Sequence, residues 1–289
     1  MIKKSELLLE IANTIKDKNA QNFKKQCFIG KYDLLKTHIE ILNEKGAKIF
    51  DREIGSYTSV FTHKLTPYDT DIKNYVIYSL SEVLKDYILK INKKAKTFLI
   101  IGVGNKNYVS DSLGPKVVNQ IIITRHAKIN NAKVLDERLK SVCAFAPSVL
   151  GQTGIETFDI VKGIIEKISP DIVFVIDSLL ASDYKYIGKC FQVSSNGLVP
   201  GSGVENRQKI LDANSLKVPT ISIGVPLVIT AESLVNSYVE LDCPKLDSLI
   251  VTISDIENYV KLSSNIVATS LNLAINNKMT FDEILDYMS

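Results

Sequence analysis

The amino-acid sequence predicts a three-layer α/β fold with a mostly parallel central sheet, and three observations carry that prediction. Two runs, Phe98 to Ile101 and Ile172 to Ile176, are apolar at every position, as strands covered on both faces are. Segments with apolar residues three or four apart lie between and around them, the pattern of helices with one buried stripe. Strand-like and helix-like segments alternate along the chain, which implies parallel strands joined through helices.

The elements follow in order. Residues 5–17 have helical spacing at Leu8, Ile11 and Ile15, then a polar stretch from Lys16 to Lys25. This reads as a loosely attached N-terminal segment. Residues 47–64 are short β-prone runs around Gly55, expected to form a hairpin. Ile72, Val76, Leu80, Val83, Leu84 and Tyr87 make one stripe on a long helix over 69–90. The strand from Thr97 runs into Gly102-Val103-Gly104-Asn105, and a helix is expected from about Pro115, where the missing N–H costs nothing. Cys143 to Ala146 reads as a short strand, Ile155 to Ile168 as a helix, and 171–176 as a strand ending at Asp177. Lys189 to Ser194 and Pro219 to Gly224 are two more strands, and Ile256 to Asn277 is a long helix. Thr280-Phe281-Asp282-Glu283 is a capping box that opens a last short one. The division expected is an N-terminal segment over 1–44 and a single domain over 45–289.

Composition excludes several classes of function. The chain has 289 residues, 45% hydrophobic and 23% charged, and a net charge of +3, an ordinary globular composition. That charge is too small to indicate a nucleic-acid partner, and no basic run is dense enough to change this. No window reaches the roughly 18 apolar residues of a membrane span, and no secretory signal opens the chain, so a cytoplasmic location is expected. Cys27, Cys143, Cys190 and Cys243 form no C-x-x-C pair, which argues against a cysteine zinc site.

Ligands of open α/β sheets bind beyond the carboxyl ends of the strands. Two carboxylates, Asp111 and Asp177, are expected at that edge. Neighbouring carboxylates resist joint ionisation, so such a pair shares a proton and can serve as acid and base toward water, or hold a metal that does so. An Asp after a strand also caps helices and turns, and pattern alone leaves both readings open. Gly102-Val103-Gly104 lacks the third glycine of a dinucleotide loop, Asn107 standing there. Gly201-Ser202-Gly203 lacks the spacing of a nucleophile elbow.

Taken together, several segments are more specific. Ile101 to Asn105, Ser110 to Val118, Thr124 to His126, Ala146 to Thr157, Val175 to Leu179, Pro200 to Val204, Ile223 to Pro226 and Asn265 to Asn272 resemble the spore germination protease family. The likeness spans about residues 95–277 in order. It implies an endopeptidase that degrades small acid-soluble spore proteins in the spore core. It also implies a self-processing zymogen, a homo-oligomer, and a fold similar to hydrogenase maturation endopeptidases. The family's two essential aspartates match Asp111 and Asp177. Its N-terminal Arg-Thr-Asp-Leu-Ala run has its counterpart in Lys31-Tyr32-Asp33-Leu34-Leu35, which keeps only the Asp-Leu step and marks Asp33–Leu34 as the self-processing bond. Asn105, Glu156, Gly201 and Gly203 fall in matching motifs with no role assigned; Glu156 is equally a cap for the helix after it. The reading needs no cofactor. Its alternatives are a metal-dependent maturation-type endopeptidase and a non-catalytic spore-core protein of the same fold.

Overall fold

The computed structural model describes residues 5–15, 21–130, 136–197, 209–239 and 244–288. Among them, nine strands join in one sheet. They are β1 (Phe23–Ile29), β2 (Leu35–Ile41), β3 (Gly55–Phe61), β4 (Thr97–Gly102), β5 (Ser141–Phe145), β6 (Ile172–Ala181), β7 (Cys190–Ser194), β8 (Thr220–Thr230) and β9 (Ile250–Val251). The helices are α1 (Leu8–Thr14), α2 (Glu44–Phe50), α3 (Thr70–Asn92), α4 (Leu113–Val118), α5 (Arg125–Ile129), α6 (Leu150–Thr153), α7 (Thr157–Ile168), α8 (Ala213–Leu216), α9 (Ala231–Val235), α10 (Ile256–Ile275) and α11 (Phe281–Met288).

The strand order is β1-β2-β3-β7-β8-β6-β4-β5, with β9 added to β8. The fold is α/β. Its central strands β5, β4, β6 and β8 are parallel, and an antiparallel wing of β7, β3, β2 and β1 continues the sheet on one side. Successive strand residues point to opposite faces. Phe98, Ile100, Phe174 and Ile176 therefore meet the layer of α3, α4 and α10, while Leu99, Ile101, Val173 and Val175 meet Val161 and Ile165 of α7. Both faces are covered, which is why these strands are apolar throughout.

Three expectations differ from the structure. The hairpin over 47–64 is instead α2 followed by β3. Asn43 caps α2 by accepting from the Gly46 N–H at 3.0 Å, and Phe50 buries beneath it, so β3 pairs with β2 and β7. The described residues of the N-terminal stretch, 5–15 and 21–44, are not loosely attached. Leu7, Leu8 and Leu9 are at most 1% exposed, and β2 pairs with β3 over seven residues, so the sheet runs without a break across position 44. β6 does not end at Asp177 but continues to Ala181, because β8 keeps pairing with it as far as Ile229. The capping box at Thr280 forms as expected: Thr280 N–H donates to Glu283 Oε2 at 2.7 Å, and Glu283 N–H to Thr280 Oγ1 at 3.3 Å.

Candidate active site

The site forms where β4 ends beside β6. After Gly102 the chain leaves the sheet, turns through Val103 to Ser110, and reaches Asp111 in a 3-10 turn before α4. That return is tight. Gly104 has φ +117°, and a Cβ there would lie 2.1 Å from the Asp111 carbonyl oxygen. A Cβ on Gly102 would lie 2.1 Å from the Gly114 carbonyl oxygen. Only glycine allows both the positive φ and the close approach. The Gly-x-Gly pattern thus shapes a carboxylate-bearing loop.

Asp111 Oδ2 accepts from the Asn105 N–H at 2.8 Å, and Oδ1 accepts from Ser178 Oγ at 3.3 Å. Burial pushes the Asp111 carboxyl above its ordinary range, and these two hydrogen bonds oppose that shift without cancelling it. Asp177 is 5% exposed and lies within β6 opposite Gly224 of β8. Its Oδ1 accepts from the Ser178 N–H at 2.8 Å. Ser178 therefore touches both carboxylates, one through its hydroxyl and one through its backbone. The two aspartates, 66 positions apart in the chain, belong to one hydrogen-bonded unit.

Asn105 also belongs to it. Its side-chain Oδ1 accepts from the Asn107 N–H at 3.0 Å and from Gln152 Nε2 at 2.8 Å, so α6 is tied to the loop that holds Asp111. Glu156 stands at the N-cap position of α7, yet its side chain makes no capping bond, and its Oε2 is buried without a hydrogen-bond partner. Gly201 and Gly203 lie outside the described residues. Ser178 and Gln152 were within the quoted motifs, but nothing local marks them. Their contacts cross from one strand end to another.

Asp33 and Leu34 are elsewhere. They lie at the turn between β1 and β2, where Asp33 has φ +53°. Lys64 Nζ sits 2.8 Å from Asp33 Oδ2 and holds that carboxyl below its usual range. Leu34 is 2% exposed. β2 is four strands from β6 in the sheet, which at about 4.8 Å per step is roughly 19 Å.

Among the described residues, no group of three or more His, Cys, Asp or Glu side chains is placed to hold a metal ion. No helix among them is long and apolar enough to cross a membrane.

Comparison with known proteins places the chain among peptidases. The family model described as germination protease matches residues 5–243. The germination protease of Clostridium perfringens (strain 13 / Type A) is 31% identical over 291 residues, covering 89% of each chain. That of Clostridium tetani is 32% identical over 287 residues, covering 88% of each. A germination protease of Geobacillus sp. is 36% identical over 205 residues, 71% of this chain and 55% of that one. Among solved structures, a nickel–iron hydrogenase maturation protease from Thermococcus kodakarensis KOD1 is 16% identical with a TM-score of 0.35, over 65% of this chain and 98% of that one. The family match over most of the chain, together with relatives above 30% identity along nearly its full length, places this endopeptidase in the germination protease family.

Proposed function

We propose that the chain degrades small acid-soluble spore proteins in the spore core at germination, with Asp111 and Asp177 as its acid–base pair. The observation that carries this reading is Ser178, which hydrogen-bonds to both carboxylates, Asp111 in the turn after β4 and Asp177 within the adjacent parallel strand β6. Asp111, whose pKa burial raises, holds the proton that the departing amine needs. Asp177 takes a proton from water as the water oxygen bonds to the scissile carbonyl carbon. When the C–N bond breaks, Asp111 protonates the nitrogen. The proton left on Asp177 then returns to Asp111 to restore the pair. No step is routed through a metal.

The same reading includes a zymogen that cuts Asp33–Leu34 and works as a homo-oligomer. The β1–β2 turn lies four strands from β6 in its own chain, so the bond is cut by the acids of another copy.

The test is cleavage of a purified small acid-soluble spore protein, with fragments read by mass spectrometry. Asp111→Asn and Asp177→Asn should each lower kcat by about 10²- to 10⁴-fold, with and without chelator alike. Wild-type rates from either variant would refute the acid pair. Loss of wild-type activity on chelation would instead support the metal-dependent alternative.

A further inference from the structure

Asn105 brings both its backbone and its side chain to the site, and one of its polar groups is idle. The backbone N–H holds Asp111 Oδ2 at 2.8 Å. The side-chain Oδ1 accepts from the Asn107 N–H at 3.0 Å and from Gln152 Nε2 at 2.8 Å. A backbone N–H can only donate, so Oδ1 must face it and the amide cannot be turned the other way round. Gln152 is fixed in the same sense, because its Oε1 is taken by the Ser148 hydroxyl. That leaves Asn105 Nδ2. Among the described residues nothing accepts from it, and it is not shut away from solvent.

This donor is held rather than carried on a loose side chain. Asn105 is 9% exposed, and two bonds to its own Oδ1 fix the amide plane. A donor fixed in advance needs no reorganisation when charge appears in front of it, so it favours a transition state over a ground state. Its neighbours are already spent on the acids. The Ser178 N–H serves Asp177 Oδ1, and Ser178 Oγ serves Asp111 Oδ1.

Hydrolysis by the acid pair creates a charge that neither acid can hold. As the water oxygen bonds to the scissile carbonyl carbon, Asp177 takes the water's proton and the carbonyl π pair moves onto the carbonyl oxygen. The negative charge of Asp177 thus reappears on that oxygen, while the Asp111 proton is reserved for the departing nitrogen. We propose that Asn105 Nδ2 is the oxyanion donor of this enzyme. It donates to the carbonyl oxygen while that oxygen is charged, and the charge leaves it when the C–N bond breaks and the carbonyl reforms. The proposal rests on the acid-pair reading for the reaction it serves.

The experiment compares Asn105→Ala, Asn105→Asp and Gln152→Ala in the full chain, with spore protein as substrate and folding checked by thermal melts. Asn105→Asp keeps an acceptor for Asn107 and Gln152 and loses only the donor. Both Asn105 variants should lower kcat by about 10²- to 10³-fold. KM should stay within about twofold, because the interaction is made only in the transition state, and the pH profile of Asn105→Ala should not move. Gln152→Ala cuts the same tie to α6 but leaves Nδ2, and should lose no more than about tenfold. Near-wild-type kcat from a folded Asn105→Ala overturns the donor. So does a loss matched by Gln152→Ala, or one that comes as a raised KM or a shifted pH profile, since Asn105 would then only support Asp111. If Asn105→Ala does not fold, the kcat of Asn105→Asp decides. Wild-type rates from Asp111→Asn or Asp177→Asn refute the acid pair, whereas dependence on both acids with full rate from the Asn105 variants refutes the donor alone. A wild type that cuts no spore protein refutes both.

Discussion

The parallel half of the sheet and its antiparallel wing solve the same problem in opposite ways. β4 and β6 are buried on both faces, with Phe98, Ile100, Ile172, Phe174 and Ile176 each at most 1% exposed. β1 is intermediate at Phe23 and exposed at its six other positions, including Phe28 at 59% and Ile29 at 71%. Lys24 and Lys25 on that strand blunt an otherwise open edge. The parallel half is rigid scaffold for a site at its strand ends. The wing is a thinner addition that carries the predicted processing bond and packs α1 and α2. Rigidity is placed where two carboxylates are held, and exposed backbone edge where the sheet ends.

Catalysis should break this contrast most sharply: Asp177→Asn in β6 should cost about 10²- to 10⁴-fold in kcat, whereas Lys25→Ala in β1 should leave kcat unchanged. Stability comes next. Phe174→Ala should cost about 3–5 kcal/mol in denaturant unfolding, against about 0.5 kcal/mol or less for Phe28→Ala. A similar loss at both would show the wing to be as much core as the centre. Gly104→Ala forces a side chain into a positive φ and against Asp111, and should cost on the order of 1–3 kcal/mol along with activity.

A pH titration sharpens the comparison further. The Asp111 pKa is raised in the fold above 3.8, so its contribution to stability is whole below the unfolded pKa and is lost as pH rises through the folded one. Asp33, in the wing, is lowered by Lys64, so its contribution is present above its unfolded pKa and lost as pH falls. Thermal melts from pH 3 to 7 should therefore show Asp111→Asn gaining on wild type with rising pH, and Asp33→Asn losing. Gains of the same sign in both would contradict the assignments. The smallest effect concerns order of reaction. Processing at Asp33–Leu34 should speed up with chain concentration, and a rate independent of concentration would mean the wing unfolds to reach its own acids.

The same contrast explains what was legible in the sequence. β4, β6, α3, α7 and α10 announce themselves because double burial or one apolar stripe leaves an unmistakable pattern. β2 also alternates, with Thr37, Ile39 and Ile41 buried between half-buried neighbours, but Lys36 and His38 dilute the signal. β1 has no pattern to read, since its partner supplies backbone bonds and nothing buries it. Asp111 and Asp177 were legible as acids that follow the apolar runs of β4 and β6. Ser178 was not, because the Asp111 contact that makes it part of the site depends on how a glycine-bent loop returns to a different strand. Nor was the extension of β6 past Asp177, which is set by β8 rather than by β6's own residues.

That extension also acts as a ruler. Five residues, from Asp177 to Ala181, rise about 16 Å as a strand. It carries β6 and β8 past the last residue of β4, so Asp177 stands at the inner corner of a step in the sheet rather than on a level rim of strand ends.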